Sequence, residues 1–139
     1  MLVIIRGFLF YICIISVSYN SFGSGVILTK TVTNITQGSE ALTALEGQPG
    51  DVIEYNIDVF NGTDDAISNI QLVSTVPPFT ALAAVILCNN SDLPSTISCD
   101  VTTPDGVNRV GYQGVIRWQL IGKLGAGHRA NVRYQVTIK

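Results

Sequence analysis

The stretch DVIEYNIDVF, Asp51 to Phe60, decides how this chain is read. Ile53, Tyr55, Ile57 and Val59 fall on one face of it, and Glu54, Asn56 and Asp58 on the other. A period of two with one apolar side marks a strand buried on one face, because successive side chains of an extended backbone point to opposite sides. Pro49-Gly50 precedes the run and Asn61-Gly62 follows it, so both ends carry residues that supply the backbone angles of a chain reversal.

The same pattern continues outward in both directions. Val26, Leu28 and Val32 alternate with Ile27, Thr29 and Thr31 up to a turn at Asn34 to Gly38. Ser39 to Pro49 reads as a loop, in which EALTALE supplies at most a turn or so of helix. Asn69 to Val76 reads as a strand halted by Pro77-Pro78, since proline has no N–H to give to a ladder. Phe79 to Leu87 is a nearly continuous apolar run, compatible with a strand buried on both faces or with an edge segment under a loop. The segment between Cys88 and Cys99 reads as a polar loop. Val115 to Ile121 sets Ile116, Trp118 and Leu120 inward, and Asn131 to Lys139 sets Val132, Tyr134, Val136 and Ile138 inward. About seven such strands with closely spaced turns predict an all-β fold, an antiparallel two-sheet sandwich of immunoglobulin-like type, with Trp118 at the centre of its core.

With 139 residues, 47% hydrophobic and 13% charged, the chain suits a single domain. Its formal net charge of -2 argues against a nucleic-acid partner, and its apolar content against disorder. The leading segment MLVIIRGFLFYICIISVSYNSFGSG has one positive charge at Arg6, an apolar run from Gly7 to Val17, and then small and polar residues, the order of a secretory signal peptide. That run is shorter than the roughly eighteen residues of a spanning helix. Small residues at Ser21 and Gly23 fit cleavage after Gly23, and Ser16 and Ser18 fit cleavage after Ser18; the preferred division is a signal peptide over 1–23 and a domain over 24–139. The expected location is therefore secreted or in the cell envelope, with membrane contact only through the signal segment if it stays uncleaved. Cys13 leaves with the signal, and its neighbour Ile12 is not the small residue a lipoprotein signal places there. The remaining pair, Cys88 and Cys99, predicts one disulfide in an oxidising compartment.

The candidate reactive groups are few. His128 is the only histidine, sits in a glycine-bearing turn, and has no Gly-x-Ser-x-Gly nucleophile motif to serve, so hydrolytic triads and zinc both lack partners. Asp64-Asp65 beside Asn61 and Thr63 begins to offer oxygens to calcium, and reads as a solvated turn. Glu54 and Asp58 share a strand face that reads as an ordinary solvated one. No catalytic, cofactor or metal residue is assigned. Lys30 shares the parity of Leu28 and Val32, which points it inward and demands a partner for its amine. Glu54 and Asn131 have the residue types for an intramolecular amide with that lysine, but lie opposite the apolar sets of their strands. All ten acids precede or include Asp105, while Arg109, Arg117, Lys123, Arg129, Arg133 and Lys139 follow it, so Arg117 and Arg133 are expected to meet Glu54 and Asp58 across a ladder. Asn34, Asn61 and Asn89 each begin an Asn-x-Ser/Thr sequon.

Taken in order, LTKTVTN (Leu28 to Asn34), PGDVIEYNIDVFNGT (Pro49 to Thr63), ISNIQLVSTVPPFT (Ile67 to Thr80) and IRWQLIGKLGAGHRANVRYQV (Ile116 to Val136) resemble the DUF11 domain family, an immunoglobulin-like or prealbumin-like sandwich of bacterial envelope proteins. The chain departs from that family's pattern at Thr75, where an Asp is usual, and at Ala126, where a Pro is usual. The resemblance implies a structural or adhesion module of the bacterial cell surface, meeting protein or glycan partners through loops and strand edges, with no catalytic or cofactor residues carried over. Family members often occur as tandem repeats with an anchoring tail. With no second copy and no tail after Lys139, the expectation is a stand-alone exported module or a truncated product. The alternative is a small periplasmic or secreted accessory subunit that acts by strand addition.

Overall fold

The alternation over 51–60 is realised in β2, the centre of a computed structural model that describes residues 25–88 and 92–139. The expected signal segment and the Asn89 sequon lie outside the described residues. Seven strands form: β1 (Val26–Asn34), β2 (Val52–Asn61), β3 (Ile67–Thr75), β4 (Thr80–Leu82), β5 (Ile97–Thr102), β6 (Val115–Leu124) and β7 (Arg129–Ile138). They pair antiparallel in a four-stranded sheet of order β1-β2-β7-β4 and a three-stranded sheet of order β3-β6-β5. The division into four and three is that of an immunoglobulin-like sandwich. Relative to an immunoglobulin constant domain the fifth and seventh strands have exchanged sheets, so that the last strand stands beside β2.

The core is what the period-two pattern requires. Ile53, Ile57 and Val59 of β2 and Ala130, Val132, Tyr134 and Val136 of β7 face Leu72 of β3 and Ile116, Trp118, Leu120 and Leu124 of β6. Trp118 is fully buried, and Tyr134 lies 5.8 Å from it and 5.1 Å from Tyr55, centroid to centroid. The indole N–H of Trp118 has no acceptor among the described residues, so this side chain acts through packing alone.

Several boundaries differ from the sequence reading, each for a local reason. The third strand starts at Ile67 rather than Asn69, because Asn69 adopts φ 57° and takes up a register shift between Ser68 and Ile70, letting pairing resume on its far side. The apolar run from Phe79 yields only the three residues of β4; beyond it Ile86 turns into the core while Val85 and Leu87 stay exposed. The supposed polar loop before Cys99 ends early, since Ile97, Cys99 and Val101 alternate with Ser98, Asp100 and Thr102 and form β5. The sixth strand runs on to Leu124 through Gly122, whose φ of +116° and approach to the Thr96 carbonyl leave no room for a Cβ. The Ser39 to Pro49 segment is irregular as read, apart from one bridge between Leu42 and Val32.

Candidate functional site

The two sheets leave two lateral sides, and the side chains singled out from the sequence distribute between them. On one side β4 and β5 are the outermost strands. Cys88, just after β4, is disulfide-bonded to Cys99 in β5, with Cα atoms 5.8 Å apart. The chain after the bridge returns to β7, where both carboxylate oxygens of Asp92 accept from Arg133, one from Nε at 2.9 Å and the other from Nη2. Asp92 thereby favours the charged guanidinium of Arg133. Glu54, Arg133 and Gln135 line a cavity of about 560 Å³ together with the exposed Val85 and Leu87.

On the other side β1 and β3 are outermost. The inward parity of Lys30 is realised. Its Nζ donates to Ser74 Oγ at 3.0 Å and to Tyr134 OH at 3.1 Å, 4.6 Å from the centre of the Tyr55 ring. Ser74 Oγ and Tyr134 OH are themselves 2.9 Å apart. Burial lowers the affinity of this amine for its proton and pushes both tyrosines up. Ser74 is not among the candidates read from the sequence, although its signal is there: it shares the parity of Leu72 and Val76, a hydroxyl on an otherwise apolar face.

Among the described residues nothing covers the N-terminal half of β1. Val26, Ile27 and Leu28 are 53%, 51% and 61% exposed, Val26 and Leu28 on the face that Val32 buries further along and Ile27 on the opposite face. Their parity was legible, but parity assigns a face without saying whether anything lies over it. A second exposed apolar group is Phe79, 82% exposed with φ 62° after Pro77-Pro78.

The remaining candidates are absorbed by structure. Glu54 accepts from Gln135 at 2.9 Å, and Asn131 stands opposite Asp58, so neither is brought to Lys30. Arg117 lies in the other sheet, opposite Val73 and Thr102, so it does not meet Glu54 or Asp58; Asp58 pairs with Arg129 instead, while Arg133 reaches Glu54 at 3.9 Å. Asn61 is buried, and its amide donates to the Asp65 and Leu124 carbonyls, tying the end of β2 to β6, while its oxygen accepts from Thr63. Asn34 is equally buried and donates to Asp51 at 2.7 Å. Both sequon amides are thus held inside the fold, and the oxygens next to Asp64 and Asp65 serve the turn. Asp51 also accepts from the Gln48 backbone and from Gln37, and the Gln48 and Asn34 bonds hold its carboxyl below the usual carboxylate range. His128 is exposed, and its backbone rather than its ring is engaged, with its N–H donating to Gly125 O and its carbonyl accepting from Asn61.

No family model, no curated protein and no solved structure matches this chain.

Proposed function

We propose that the chain is an exported, non-enzymatic module of the bacterial cell surface that contacts protein or glycan partners through its strand edges and loops. The observation that carries this reading is the bare apolar edge at Val26 to Leu28, three consecutive exposed apolar residues on an outermost strand, because natural sheets rarely leave such an edge unguarded without a use for it. Phe79, held out on a strained backbone, adds a loop contact of the same kind. The Cys88–Cys99 disulfide is compatible with an oxidising compartment, and the segments that resemble the DUF11 family supply the surface setting. The same edge supports a second reading, an accessory subunit that completes another protein's sheet.

Export is the testable root of the proposal. Cells producing the chain are fractionated and its intact mass is taken before and after reduction and alkylation. A mass beginning at residue 24 or 19, with two thiols appearing only on reduction, supports the exported module. A full-length chain with free thiols in the cytoplasm overturns it.

A further inference from the structure

Among the four outermost strands, three carry a recognised obstacle to pairing with another chain. β3 is broken by the shift at Asn69, β4 has three residues, and β5 carries Asp100 and is tethered through Cys99. β1 has none of these. Its register against β2 is continuous from Val26 to Asn34, it contains no proline, and its one charge does not guard the edge, because the Lys30 ammonium is turned inward onto Ser74 and Tyr134.

The backbone shows which part of β1 is free. Val32 exchanges both of its bonds with Leu42, at 2.7 and 2.9 Å, and therefore directs N–H and C=O away from β2. Alternate residues of an antiparallel strand direct their groups to the same side, so Lys30, Leu28 and Val26 do likewise. The opposite parity agrees, since the Ile35 N–H donates inward to the Val52 carbonyl. Leu42 closes the edge at Val32, and among the described residues the open stretch is Val26 to Lys30.

We infer that a second copy of this chain occupies that stretch, with β1 pairing antiparallel to β1 about a two-fold axis at Leu28 and the two four-stranded sheets becoming continuous. The inference rests on the edge-contact reading above and names its partner. The open stretch is centred on Leu28, so this register pairs Leu28 with Leu28 and Val26 with Lys30 of the other copy, and satisfies every outward-facing group between them. It brings together the most exposed large apolar residue of the strand, Leu28 at 61%, on both copies. It also sets each lysine beside a valine; an axis at Lys30 would oppose two lysines and drive the Leu42 segment into the other copy. An acidic peptide finds no comparable match, because the single cation of the edge is already engaged by hydroxyls and a ring face.

The test uses the chain as recovered from producing cells, in sedimentation velocity up to about 1 mM, the weak end of specific association. A concentration-dependent dimer is expected, with Leu28→Lys raising its dissociation constant at least about tenfold through loss of the central pair and the opposed charges. Leu28→Cys is expected to give a disulfide-linked dimer on mild oxidation, since directly opposed bonded residues sit about 5.5 Å apart at Cα, whereas Ile27→Cys faces Thr29 and does not link to itself. A monomer throughout, a dimer indifferent to Leu28→Lys, or equal linking by Ile27→Cys and Leu28→Cys overturns the inference. Circular dichroism and thermal melts verify that the variants fold, as their exposed positions lead us to expect. A processed, oxidised chain that stays monomeric removes the self-pairing and leaves the exported module standing; an unprocessed, reduced chain that dimerises does the reverse.

Discussion

On the β4/β5 side of the sandwich a disulfide joins the two sheets, Ile86, Leu93 and Ile97 fill the seam, and Asp92 fastens the returning chain to Arg133. On the β1/β3 side the sheets meet through the Lys30 ammonium and two hydroxyls, and three consecutive apolar residues remain bare. The two sides belong to one fold and share one core, and exposed apolar residues occur on both; on the first, Val85 and Leu87 lie on irregular chain after β4, whereas on the second Val26 to Leu28 lie on a regular strand whose outward backbone groups are unpaired among the described residues. A covalent staple fixes the spacing of the sheets on its side. A long, partly solvated lysine holds them on the other side without covering the strand end beyond it.

The difference can be broken from its centre outward. Trp118→Ala removes the side chain both sides lean on and is expected to cost about 3–5 kcal/mol, read as a lower denaturation midpoint, with no side spared. Cys88→Ser acts on the stapled side. With the bridged cysteines 11 residues apart, the loss is expected at about 2–3 kcal/mol in thermal or urea unfolding under non-reducing conditions, and reductant should remove the same amount from the wild type but nothing from the variant. An unchanged melting temperature in Cys88→Ser would show that the seam packing alone closes that side.

Lys30→Met acts on the open side and should cost less than about 1 kcal/mol. Ser74 and Tyr134 keep their bond to each other, and the apolar chain retains the contact with Tyr55. The smallest effect is one of pH. Burial lowers the pKa of Lys30 in the folded chain below its ordinary 10.5, so over the window between the two values the unfolded chain binds more protons and stability contributed by this group rises with pH. Tyr134 and Tyr55, pushed up, oppose that trend above their ordinary value of 10.0. The difference in stability between Lys30→Met and wild type, followed from pH 8 to about 10 in urea titrations, should move in favour of the wild type; a difference that stays constant would place the amine in solvent.

Much of this was readable in the chain. The clean alternation of Ile53, Ile57 and Val59, and of Ile116, Trp118 and Leu120, fixed the core faces, because side-chain direction along a strand follows from backbone geometry alone. The pairing of Cys88 with Cys99 followed from their being the two cysteines left once the leading segment is set aside. β5 was also legible in ISCDVT and was masked by the polar residues just before it. Ser74 was legible in the same way, from parity with its apolar neighbours.

Other features had no local signal. Asp92 reaches Arg133 across 41 positions, and Arg117 and Arg133, alike in their strands, end in different sheets with different partners. The sequence by itself determined the strands, their buried faces and the disulfide, since these depend on periodicity and residue chemistry over short spans. Only the tertiary structure decided which strand lies outermost, that β7 rather than β5 stands beside β2, and that the first residues of β1 stay exposed. Strand order and coverage depend on pairings between residues far apart in the chain, and a free edge is a property of what is absent beside a strand, which no stretch of that strand encodes.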